Sequence, residues 1–156
     1  VFFTTIKKSN YEKALRMIEK GIVLNEKDSS GLTPLAYSLK NDDEKMFNLL
    51  IDRGGDINKE ILDGTSHLVF YISNKRYNLI KHILKSGADI DFQDKLGRTA
   101  LMNAIERSNF NAVSILISKD FDQDITDYSG KDIISYLRSS KDTRIKNLIN
   151  RLNPVN

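Results

Sequence analysis

GLTPLAYSL, running from Gly31 to Leu39, returns as GTSHLVFYI from Gly64, GRTALMNAI from Gly97 and GKDIISYLR from Gly130. The step is 33 residues each time, with no insertion. A fixed period of this length signals a stacked array, in which each unit buries its apolar face against its neighbours. A second series keeps the same step through Asn25, Asn58, Asp91 and Asp124. Gly21, Gly54 and Gly87 lie just before its first members, and Asp120 breaks the glycine pattern.

Working outward from Gly31, each unit reads as two helices. Thr33, Ser66, Thr99 and Asp132 stand where a first helix should begin, with side-chain oxygens that accept from free backbone N–H groups. Pro34 falls at the first helical position, where its missing N–H costs nothing. Leu35, Leu68, Leu101 and Ile134 open the buried stripe, and Leu39, Ile72 and Ile105 continue it. Arg138 stands next in the last unit, so its packing must differ. A polar turn (Asn41–Asp43, Asn74–Arg76, Ser108–Asn109) leads to a second helix. Its apolar faces run through Met46–Ile51, Leu79–Leu84, Ala112–Ile117 and Ile145–Ile149. Gly54 and Gly87 then suit a left-handed helix stop. DINK from Asp56 and ADIDFQD from Ala88 read as extended turns into the next unit.

Helix, turn, helix and projecting turn at this period resemble the ankyrin repeat. GLTPLA from Gly31, GRTAL from Gly97 and SGADIDFQD from Ser86 carry the resemblance. The family motif T-P-L-H is incomplete: Ala36, Val69, Met102 and Ser135 occupy the histidine position, and His67 sits at the proline position. The expected fold is an all-α solenoid of stacked helix–turn–helix units joined by projecting β-turns. It forms one domain over 1–156, with full units at 28–60, 61–93 and 94–126 and partial units at 1–27 and 127–156. Counting back one period from Pro34 reaches Val1, so the chain opens inside a first helix with Phe2 and Phe3 in apolar slots. That start favours a piece cut from a longer protein, or a trimmed end.

Composition excludes several functions. The chain has 156 residues, 40% apolar and 29% charged, enough for a packed core. Cysteine is absent, which removes disulfides, thiol nucleophiles and thiolate metal sites. No apolar run approaches the roughly 20 residues that span a bilayer, so membrane insertion is not expected. The net charge of +3 is mild for a nucleic-acid binder. The basic residues of 1–27 and 138–151 fall at opposite ends of the stack, so nucleic acid is not the expected partner. Neither histidine belongs to a triad order, and there is no G-x-x-x-x-G-K loop. His82 aligns with Leu49 and Ile115 and reads as a partly buried neutral side chain. Asp42–Asp43 reads as a cap and a solvated turn. Asp120, Asp122 and Asp124 lack the glycine and distal glutamate of a calcium loop. No metal, cofactor or catalytic residue is expected.

What the resemblance implies is a non-catalytic module that binds a partner protein through the concave face and turn tips. The alternative is a regulatory or targeting segment of a larger enzyme, secreted effector or channel. The expected contact residues at the tips are Ser29, Ser30 and Leu32; Leu62, Asp63 and Thr65; Lys95, Leu96 and Arg98; Tyr128, Ser129 and Lys131. On the first-helix side they are Lys40, Asn41, Ser73, Asn74, Glu106 and Arg107. Leu62, Leu96 and Tyr128 are apolar or aromatic on turns that should face water, which suits a protein contact or local packing. Tyr37, Phe70 and Tyr136 share one register and suit either role. A monomer and a cytoplasmic setting are favoured, with secretion into a host cell left open.

Overall fold

The repeated apolar stripes become a continuous succession of helix pairs in the computed structural model, which describes residues 1–152. The pairs are α1 (Phe2–Lys7) with α2 (Tyr11–Glu19), α3 (Pro34–Lys40) with α4 (Glu44–Asp52), and α5 (His67–Ser73) with α6 (Ile80–Lys85). They continue with α7 (Ala100–Glu106) and α8 (Phe110–Leu116), then α9 (Ile133–Ser139) and α10 (Thr143–Asn147). A 3₁₀ turn follows at Leu148–Arg151. The expected last unit runs on to 156, so its final four residues lie outside the described ones. First helices stack on first helices: α1 on α3, α3 on α5, α5 on α7, α7 on α9. Second helices form the other layer, with α2 against α4 and α8 against α10.

The expected caps are made. Thr33, Ser66, Thr99 and Asp132 each accept from the backbone N–H three residues on. Leu35, Leu39, Leu68, Ile72, Leu101 and Ile105 are all buried, and each such side chain contributes about 1.5–3 kcal/mol. The core runs without interruption from Phe2 to Leu148. In α9 the stripe is rotated: Ile133 and Leu137 are buried, Ile134 is half-buried and Arg138 is exposed.

The second series of the repeat clips one unit to the next. Asn25 Oδ1 accepts from Asp56 N at 2.7 Å while its amide donates to Gly54 O at 3.1 Å. Asn58 repeats both bonds with Asp89 N and Gly87 O, at 3.0 and 2.9 Å. Asp91 keeps the first bond, accepting from Asp122 N at 3.0 Å. A carboxylate has no amide to donate, and burial, aided by neighbouring Asp89, Asp122 and Asp120, holds its pKa above the usual value.

One helix departs from expectation, and the cause is a single residue. Asn10, Asp43 and Asn109 cap their second helices by accepting from the N–H three residues on. One period after Asp43 stands Arg76, which has no acceptor to offer. Accordingly α6 begins only at Ile80 and has no side-chain cap of its own. The orphaned donor is Leu79 N, and the hydroxyl of Tyr71 accepts it at 2.8 Å. Tyr71 in turn donates to Asp42 Oδ1 at 2.5 Å. A tyrosine from the first helix thus replaces the missing cap of the second.

Candidate functional site

Three of the tips are each shaped by one aspartate. Asp94 Oδ1 accepts from Leu96 N and Arg98 N, both at 3.0 Å. Asp28 does the same for Ser30 N and Leu32 N, and Asp127 for Ser129 N and Lys131 N. The second carboxylate oxygen then ties the tip to the first helix. Asp28 accepts from Tyr37 OH, Asp94 from Asn103 Nδ2 at 3.1 Å and Asp127 from Tyr136 OH at 2.6 Å. The Tyr136 hydroxyl bond leads the causes that hold the Asp127 carboxyl well below its usual range. Burial, with that same bond, pushes Tyr136 up to about 12.

Unit 61–93 breaks this scheme at both ends of the bond. Ile61 stands for the aspartate and Phe70 for its partner. Ile61 is fully buried, and its turn is closed by backbone alone through a reciprocal pair with Thr65, at 2.9 and 3.0 Å. A hydrogen bond to a carboxylate has been replaced by two apolar side chains, and Phe70 is left half-exposed on the first-helix side.

A groove of about 410 Å³ opens there, between the second and third full units. Of the contact residues expected from sequence, Leu62, Asp63, Thr65, Ser73, Lys95, Leu96, Arg98 and Arg107 line it. Sequence reading did not include Gly64, Val69, Asp94 and Asn103 and left Phe70 undecided. The paired exchange of Asp and Tyr for Ile61 and Phe70, visible when units are aligned, was the signal available. Glu106 and Lys131 line an adjoining polar depression with Lys141, Tyr136 and Ser139. The Arg98–Glu106 ion pair, 3.5 Å long, joins the two depressions.

The remaining expected residues lie elsewhere. Leu32 is buried, contrary to a place on an open tip, because its N–H closes the Asp28 turn and its side chain joins the core. Ser29, Ser30 and Lys40 are exposed. Asn41 gives its amide to Lys7 O at 3.0 Å, and Asn74 gives its own back to Phe70 O at 2.8 Å. Ser129 bonds Asp127 at 2.7 Å. Tyr128 is 73% exposed, yet its inner edge lies on the preceding tip. A Cβ on Gly97 would come within 2.6 Å of the Tyr128 ring, and Gly97 has φ +77°, so only glycine suits that tip. Leu62 lies in the same way over Gly31. For these residues one side packs on the neighbouring tip, as the local-packing alternative has it, and the other faces water. The shared aromatic register splits, with Tyr37 and Tyr136 buried and Phe70 in the groove.

His67 and His82 have structural partners. Ile57 O can only accept, so His67 Nδ1 carries the proton toward it at 3.1 Å. Thr33 Oγ1 then donates to His67 Nε2 at 2.6 Å while accepting from Ala36 N. The imidazole is fully buried, and that burial lowers its pKa to about 4. His82 is half-buried, as expected, with Nε2 3.1 Å from Glu44 Oε1. Among the described residues no cluster of acidic or histidine side chains could hold a metal ion. None of the described helices is long and apolar enough to cross a membrane.

Stacked helix pairs with tips on one side define a helical-repeat solenoid. A family description of ankyrin repeats, in three copies, matches residues 68–150, more than half of the chain. The chain belongs to the ankyrin repeat family. Ankyrin repeats are in general protein–protein interaction modules and are typically non-catalytic. No curated protein matches the chain.

Proposed function

We propose that this chain is a non-catalytic module that binds a partner protein through its first-helix side and tips, centred on the groove between units 61–93 and 94–126. The observation that carries the reading is the local loss of the aspartate tie. Where Ile61 and Phe70 replace it, apolar surface of Leu62, Phe70 and Leu96 reaches solvent in a depression instead of being scattered. Such a patch, rimmed by charged side chains, has the make-up of a contact core. The commitment of His67 to Thr33 and Ile57 supports binding rather than chemistry.

The test is site-specific photo-cross-linking in lysate from the native cell. A photoreactive side chain at Leu96 is expected to capture discrete protein adducts. The same group at Asn48, exposed on α4 in the other layer, is expected to capture none in common. Equal adducts from both positions, or none from Leu96, would refute the reading.

A further inference from the structure

We propose that the groove receives an extended acidic segment of a partner protein, which seats one large apolar side chain between Phe70 and Leu96. This rests on the binding reading above and adds the chemistry of the occupant. The apolar part follows from the walls: Leu62, Val69, Phe70 and Leu96 line a space of about 410 Å³. A leucine or phenylalanine side chain with its flanking backbone suits a depression of that size.

The acidic part follows from which charges are free. Lys95 and Arg107 are exposed on the groove, and neither has a carboxylate within ion-pair distance among the described residues. Arg98 reaches only Glu106, at 3.5 Å. Beyond it, Lys131 and Lys141 border the adjoining depression. Asp94 and Asp127 keep their charge, but both oxygens of each are held by backbone N–H groups and by Asn103 or Tyr136, so neither is turned toward a cation of the groove in an ion pair. Along these two depressions Lys95, Arg98, Arg107, Lys131 and Lys141 face only the carboxylates of Asp63, Asp94 and Glu106. The surplus is local, since the expected contact positions of the first tip, Ser29, Ser30 and Leu32, carry no charge. A track of unpaired cations beside an apolar seat favours carboxylates on both sides of the anchoring side chain. It also makes the Arg98–Glu106 pair an internal competitor, with Glu106 holding the guanidinium that a ligand carboxylate would take.

The experiment selects short random peptides displayed on phage against the complete chain, then measures a selected peptide by fluorescence anisotropy. Expected winners carry Asp or Glu on both sides of Phe or Leu. Lys95→Glu and Arg107→Glu should each weaken binding about tenfold, which is about 1.4 kcal/mol. Glu106→Gln should tighten it about threefold by releasing Arg98. Raising salt from about 0.05 to about 0.5 M should weaken it severalfold, because exposed charges are screened. The substituted sites are exposed or on the rim, so circular dichroism melts should be unchanged. Neutral or basic winners whose binding falls with Phe70→Ser would overturn the acidic occupant and leave the groove as a binding site. Winners indifferent to both Phe70→Ser and charge reversal would overturn the site as well. Failure to select any peptide would overturn an extended segment as the occupant, while the cross-linking contrast between Leu96 and Asn48 would still judge the surface.

Discussion

Units 61–93 and 94–126 share a period, a buried stripe and a helix pair, yet they are held differently. In 94–126, Asp94 shapes the tip, Asn103 ties it to the helix and Asn109 caps the second helix. In 61–93 none of these three polar devices exists, because Ile61, Phe70 and Arg76 stand in their places. That unit relies on a backbone pair at the tip, on His67 bridging Thr33 and Ile57, and on Tyr71 supplying the second helix with an acceptor. The stripe sets the fold, and the polar ties are interchangeable local solutions. Where the ties were exchanged for apolar side chains, apolar surface was left facing solvent in a groove.

The comparison breaks most visibly if the shared stripe is not what holds both units. Leu101→Ala, in the regular unit, should cost about 2–5 kcal/mol in denaturant melts, and Leu68→Ala in the irregular one should fall in the same range. A loss below about 1 kcal/mol for either would show that its unit does not depend on that layer.

Next in size is the histidine found only in the irregular unit's network. The folded pKa of His67, about 4, lies below the unfolded 6.5. Its contribution is therefore complete above pH 6.5 and falls away as pH drops toward 4, where the unfolded chain takes up the proton first. The integrated effect is about 3 kcal/mol. Stability curves against pH, compared with His67→Gln, should show that extra slope in the wild type alone. Parallel curves would exclude a buried neutral imidazole.

A double-mutant cycle sharpens the tip comparison. Ile61→Asp alone should destabilise by about 2 kcal/mol or more, since it buries a charge without its partner. Adding Phe70→Tyr should recover about 1 kcal/mol through the bond seen between Asp127 and Tyr136. Strict additivity of the two would deny that the exchange is coupled. The smallest effect belongs to the cap. Arg76→Asn should stabilise by about 0.5–1 kcal/mol in thermal melts, by restoring the acceptor present at Asn109. A loss instead would mean that the contacts of Arg76 with Lys40 O and Asp42 outweigh the cap.

The period, the caps at Thr33, Ser66 and Thr99 and the stripe from Leu35 to Ile105 were all legible before any coordinates. Each is a local preference repeated at least three times, so chance variation in one unit was corrected by the others. Leu32 and Arg76 were harder to place. Leu32 looks like a tip residue by position, and only the closure of the Asp28 turn carries it into the core. The delayed start of α6 needed the knowledge that Arg76 occupies a cap position and that Tyr71 can reach Leu79 N.

By itself the sequence determined a helical stack of period 33, because burial at fixed intervals admits one way of covering every unit's apolar face. Tertiary structure decided where that stack is open. Whether Phe70 or Tyr37 faces solvent depends on what the next unit lays over it, and whether Lys95 or Asp94 is free depends on bonds closed across the tip. Those are distances between residues far apart along the chain, set only when the units dock.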